Sequence, residues 1–307
     1  MTGRGRGDGR RLAKIPFRPV TPPAPDSLLV PETKLFTTVR SIGSGAAPDI
    51  RSRVRPATDI ERSEDDLRST GRSWYHVLLE DTEEFAQRSR HDEDLEPTND
   101  PTWGFRVFVT SYSTAARERL PRALGNWTRA QEVAFQQAIS GPDYRQEVLK
   151  RFKLDVVEDE SLDNASDDRV REEFRAWMKG LGFTPRDEEE NDPRALLSTM
   201  HNPSENICLA LDEAAIFKLA DLTFGEPKDD LDRFGGLTVR AIDGTWRRPA
   251  EVKANETYRG VGDVSIIGLA ELYGVMASPV GGGHCYGGIM HDLHPLNGMP
   301  EWTGEIS

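Results

Sequence analysis

The stretch Trp103-Gly-Phe-Arg-Val-Phe-Val-Thr-Ser-Tyr112, with the helical periodicity directly after it, constrains the fold of this chain more than any other segment. Phe105, Val107 and Val109 alternate onto one side of an extended backbone, and Arg106, Phe108 and Thr110 onto the other. A run that is aromatic, β-branched and mostly apolar on both sides belongs inside a sheet. Ser113 or Thr114 then stands where a helix N-cap is needed, and the helix reaches about Ile139. Leu120, Leu124, Trp127, Ala134, Phe135 and Ala138 give it one apolar face. Pro121 breaks the pattern and predicts either a kink or a helix that begins near residue 119. Gly141-Pro142 ends it.

Around this centre, strand and helix patterns take turns. Trp74–Leu79 is apolar on both sides and predicts a strand containing His76, a histidine better read as a core residue than as a catalyst. Asp81 and Glu84 have the spacing of a cap and its third helical residue, opening a short helix. Phe152–Asp159 alternates as a strand with one wet face does. Val170, Phe174, Trp177 and Leu181 mark an amphipathic helix capped by Ser166 or Asp167. Ile207–Leu211 is a fully apolar strand, Asp212 opens a helix with Ile216, Leu219 and Leu222, and Leu237–Ile242 is a further strand. A polar loop, Arg247–Asp263, leads to a helix holding Ile266, Leu269, Leu272, Tyr273 and Met276. The expected fold class is α/β or α+β, a single layered domain over residues 70–278. Its mixed sheet of about five strands alternates with helices.

Charge divides the chain. Residues 1–56 hold 11 Lys and Arg against 4 Asp and Glu, whereas the remainder holds 28 against 48. An acidic globule repels nucleic acid and anionic membrane, so a polyanion contact would have to come from the tail. That tail, residues 1–34, is rich in Arg, Gly and Pro and is expected to be disordered. Three readings of it stand side by side: a solvated tail, an RNA-touching Arg/Gly segment and an Arg-rich transit peptide. Residues 35–69 are transitional. Leu35–Val39 is a short strand or a clip onto the core, Gly43–Pro48 a linker, and a solvated helix starts near Asp59. Residues 279–307 form a Gly-rich extension. No run has the roughly 18 apolar residues of a membrane span, and there is no secretory apolar region. Cys208 and Cys285 make no disulfide framework, so the protein is expected to be intracellular, with a cytoplasmic setting first and the nucleus or an organelle left open.

Motifs that would name a reaction are missing from the sequence: it has no G-x-G-x-x-G after a strand, Walker A, H-E-x-x-H, G-x-S-x-G or C-x-x-C. Three weaker features remain. Asp81, Asp159, Asp212 and Asp243 each follow a strand. If the strands run parallel, these carboxylates gather on one edge, where they could bind Mg²⁺ or a cationic substrate. Asp81, Asp159 and Asp212 are the catalytic candidates, although an N-cap role accounts fully for Asp81 and Asp212. His284, Cys285, His291 and His294 carry zinc-preferring ligands but match no zinc spacing, and a Cys285 nucleophile lacks a defined base. Arg259, in Thr257-Tyr-Arg-Gly-Val-Gly-Asp263, is an anion-binding candidate against the plainer reading of a surface turn. No cofactor follows from any of these.

Together, Trp103–Tyr112, Phe152–Asp159 with Ser166-Asp-Asp-Arg-Val-Arg-Glu-Glu-Phe-Arg175, and Tyr258-Arg-Gly-Val261 resemble a widespread group of uncharacterised proteins from filamentous fungi. The likeness covers about residues 70–278. It implies a fungal, intracellular origin and transfers no catalytic residue. Three functions follow in order. The first is a non-catalytic binding or interaction protein with an acidic core, its partner an unknown protein or small molecule. The second is an enzyme, in specialised metabolism, using strand-end carboxylates for acid/base or divalent-metal chemistry. The third is an RNA-associated protein working through its tail alone.

Overall fold

The central strand forms where its alternation places it. In this computed structural model the described residues are 37–47, 49–60, 78–79, 82–83, 101–139, 141–180, 206–225, 230, 233–244, 246, 260–270, 272–273 and 301–302. In chain order the elements are β1 (Thr38–Ile42), α1 (Ile50–Arg53), β2 (Arg106–Val109), α2 (Thr114–Ala138), α3 (Pro142–Arg151) and β3 (Leu154–Glu158). There follow α4 (Asp167–Gly180), β4 (Ile207–Leu211), α5 (Glu213–Ala220), β5 (Thr238–Asp243), β6 (Val261–Ser265) and the two-residue β7 (Glu301–Trp302). Residues 35–307 make up one unit. The tail 1–34 lies outside the described residues, and so does most of 279–307.

The strands form one mixed sheet in the order β1-β3-β2-β4-β5-β6-β7. β2 runs parallel to both β3 and β4, whereas β1, at one edge, and β5 run antiparallel to their neighbours. The chain leaves β2 for β3 on one side and then returns past β2 to β4 on the other. Register separates the two faces. Val107, Val156, Leu209 and Ala241 join the larger apolar cluster with Leu120, Leu124 and Trp127 of α2 and Ile216 of α5. Phe108, Val157, Cys208, Ala210 and Ile242 join a smaller one with Val170 and Phe174 of α4. A row across this second face runs Ser41, Asp155, Arg106, Cys208, Ile242.

α2 starts at Thr114, with the Ser113 hydroxyl accepting the Ala116 N–H at 3.1 Å, and continues through Pro121. A start near 119 is ruled out: Pro121 lies on the exposed side, inside one continuous helix, and burial of Leu120, Ala123, Leu124 and Trp127 holds the helix on either side of it. Trp127 donates to the Ile266 carbonyl at 3.3 Å, and Trp103 to that of Val148 at 2.8 Å, so both buried indoles are satisfied.

Several segments differ from what periodicity predicts. Leu78 and Leu79, expected at the end of a strand, are helical and fully buried. Arg151 holds this region: it is fully buried and donates to the carbonyls of Leu79 at 2.9 Å and Arg55 at 2.8 Å, and to the Thr82 hydroxyl at 2.8 Å. α3 was not anticipated. Pro142 sits in its first turn, so the residue read as a terminator of one helix starts the next. The presumed linker 43–48 contains a 3₁₀ turn at Ser44–Ala46, in which Gly45 donates to the Phe152 carbonyl at 2.9 Å. Val261–Ser265 is strand β6, where a loop and then a helix were expected. Ile266 and Ile267 form a turn before the helical residues at Leu269–Ala270 and Leu272–Tyr273.

Candidate functional site

Because β2, β3 and β4 are parallel, their carboxyl ends share one edge of the sheet. Two crossovers leave that edge in opposite directions, the place where open α/β sheets tend to hold ligands. Asp159 follows β3 and Asp212 follows β4, so the two flank β2, roughly 10 Å apart by two strand spacings. Asp243 is elsewhere. β5 is antiparallel to β4, and Asp243 pairs with Ile207 at the start of β4, which puts it at the opposite edge. Asp81 and Arg259 lie outside the described residues, as do His76, His284, Cys285, His291 and His294. Among the described residues no three His, Cys, Asp or Glu side chains come together to hold a metal ion.

The loops at this edge are tied to one another. Asn164, at φ 56°, donates its N–H to the Thr110 carbonyl at 2.9 Å, and the Asp163 carboxylate accepts the Tyr112 N–H at 2.8 Å. The Asp159 N–H donates to the Tyr112 hydroxyl at 2.5 Å. Arg117, one turn into α2, donates from Nε to the Tyr112 carbonyl at 2.9 Å and pairs with Glu160 at 2.7 Å. On the other side of β2, the Ser113 hydroxyl donates to Glu213 at 2.5 Å. The capping hydroxyl at the start of α2 thereby links that helix to a carboxylate at the start of α5.

Each described aspartate has a structural task. Asp212 is the N-cap of α5, accepting the Ala215 N–H at 2.8 Å. Asp159 accepts the Ser161 N–H and the Thr37 hydroxyl, both at 2.9 Å. Asp243 accepts the Trp246 N–H at 3.1 Å. Partial burial pushes the Asp159 carboxyl up, but the donors from Ser161 and Thr37 outweigh it and hold the group below its ordinary range. The Arg117 guanidinium holds Glu160 down in the same direction. Burial raises the Tyr112 phenol well above its usual value, so it stays protonated.

Sequence reasoning missed Tyr112, Arg117, Asp163 and Glu213. The signal available was the β2–α2 junction itself, since residues there necessarily meet the loops of both neighbouring parallel strands. A scan against protein-family models finds no match, and searches of curated proteins and of solved structures find none either.

Proposed function

We propose that this is a non-catalytic binding or interaction protein whose acidic core engages a cationic partner at the carboxyl-end edge of β3, β2 and β4. The observation that carries the reading is the commitment of Asp159 and Asp212 to main-chain caps, which leaves them as supports and not as free acid/base groups. Glu158, Asp159, Glu160, Asp163, Asp212 and Glu213 gather at these strand ends, and Glu160 is 57% exposed. Among the described residues the cations that pair with them are Arg117 on Glu160 and Arg40 on Glu158, and Arg169 lies close enough to act on Asp159. The edge therefore keeps an excess of negative charge that steers a basic surface toward it. No described helix is long and apolar enough to cross a membrane. A cytoplasmic setting belongs to the same proposal.

Two measurements on the full chain test it. A fluorescent lysine-rich peptide should bind less tightly as salt rises, and joint neutralisation, Glu160→Gln with Glu213→Gln, should weaken it about tenfold. Melting should not respond to Mg²⁺. A Mg²⁺-dependent rise in the wild-type midpoint that disappears in Asp159→Asn/Asp212→Asn would replace this reading with that of a metal-assisted enzyme.

A further inference from the structure

Arg106 stands at the start of β2 on the face covered by α4, directly opposite Asp155 of β3 on one side and Cys208 of β4 on the other. The Trp177 ring covers its guanidinium, with 4.1 Å from Cζ to the ring centroid. Its Nε is buried without a hydrogen-bond partner. Asp155 is the nearest carboxylate, but its oxygens are engaged by the Ser41 hydroxyl at 2.5 Å and by Lys153 Nζ at 3.6 Å. Burial disfavours the charge on Arg106, and Asp155 offsets this only in part. The other two buried guanidiniums do reach acceptors of the chain, although the Arg151 Nε also lacks a hydrogen-bond partner. Arg171 donates to the carbonyls of Asp243 at 2.9 Å and Gly260 at 3.0 Å, and Arg151 has the carbonyl and hydroxyl acceptors described above. A buried Nε–H without an acceptor, on a half-buried cation, is an exception to the rule that buried polar groups are satisfied.

The strip beside Arg106 reaches solvent at the edge strand. On this face of the edge strand Ser41 is exposed and Val39 is 50% exposed, so the row from Arg106 through Asp155 ends at β1 in side chains that reach solvent. We propose that Arg106, held flat by Trp177, binds an oxyanion, a carboxylate or a phosphate, on a small ligand whose apolar part lies against Val39. The planar fork of an arginine is suited to either group, and the indole both orients the fork and shields it from water. Lys153 adds a second cation beside the same strip. The site shares no residue with the acidic edge and does not depend on that reading.

The test uses the full chain with benzoate and phenyl phosphate as oxyanion probes and benzamide as the neutral counterpart, followed by titration calorimetry. One or both oxyanions should bind and benzamide should not; which oxyanion binds tells a carboxylate ligand from a phosphate one. Arg106→Gln should weaken binding about tenfold or more while the far-UV spectrum is unchanged. Glu160→Gln/Glu213→Gln should leave it as in the wild type. If Arg106→Gln does not fold, Arg106→Lys and Trp177→Leu take its place: the lysine should bind with reduced affinity, and the leucine should loosen binding through loss of the stacked geometry. No binding of either oxyanion, equal binding of benzamide, or affinity unchanged in the Arg106 variants would overturn the site.

Discussion

The two faces of the sheet are built to different rules. The face under α2, α3 and α5 is packed mostly with aromatic and aliphatic side chains, and buried polar groups on it, the indole N–H groups of Trp103 and Trp127 and the Arg151 guanidinium of α3, reach acceptors within the chain. Trp103 stands at its centre, edge-on to Phe135 with centroids 5.6 Å apart and against Phe152 at 4.8 Å. The face under α4 has a small apolar cluster crossed by arginines: Arg106 on Trp177, Arg171 against β5, and Arg240 paired with Asp167 at 3.2 Å. The first face holds the fold together by burial, and its cost of failure is a cavity. The second holds α4 on by charged donors reaching main-chain carbonyls, and its cost of failure is an orphaned polar group.

The sharpest way to break this contrast is to injure each face at its centre. Trp127→Ala on the first should lose about 4 kcal/mol, because a fully buried indole leaves a large cavity and the Ile266 carbonyl loses a donor. Arg171→Met on the second keeps the apolar stem but removes both donors to Asp243 and Gly260. It should lose about 3 kcal/mol. Urea denaturation of the full chain measures both. A loss below about 1 kcal/mol for Arg171→Met would mean that the apolar cluster alone holds α4, and the two faces would then obey one rule.

How far the residues announce this arrangement differs between the faces. The strands β2, β3, β4 and β5 and the helices α2 and α4 were legible, because Val107/Val109 and Val170/Phe174/Trp177 repeat at the periods of the structures they form. β6 was not. Val261-Gly-Asp-Val-Ser265 has two apolar residues in five, and what makes it a strand is pairing with β5, a tertiary event. The helical residues Leu78 and Leu79 were misread for the complementary reason: an apolar run too short to show a period reads as a strand until Arg151, far along the chain, binds the Leu79 carbonyl. Strand direction is equally silent. Asp212 and Asp243 look alike in sequence, and only the antiparallel pairing of β5 sends Asp243 to the far edge. The Arg106–Trp177 stack joins residues 71 positions apart across two elements and leaves no local pattern to read.

A smaller effect separates cap from catalyst at the carboxyl-end edge. Asp212→Ala should cost about 1 kcal/mol of unfolding free energy, whereas Asp212→Asn should cost only a few tenths, because an asparagine oxygen accepts the Ala215 N–H equally well. Equal losses in the two variants would show that the negative charge matters at this position, and would draw Asp212 back toward the ligand-binding reading.

The smallest effect concerns acid. Asp159 has a folded pKa below its unfolded value of about 3.9, so its hydrogen bonds add stability above that pH and the contribution is lost as pH falls through the folded pKa. Asp159→Asn should therefore flatten the acid limb of the stability curve below about pH 4 and leave its neutral part with a constant offset. Glu160 is depressed in the same direction, but by a charge, Arg117, on the exposed surface, whereas Asp159 is held down first by the neutral hydroxyl and amide groups of Ser161 and Thr37 and only after them by the Arg169 charge. Salt tells the two apart. In an NMR titration of the carboxyl carbons, raising the salt to about 1 M, where screening reaches only about 3 Å, should return Glu160 toward its ordinary pKa and leave Asp159 depressed. If Asp159 relaxes with it, a charge such as Arg169 and not the cap is what holds the strand-end aspartate ionised, and its assignment as a structural support fails.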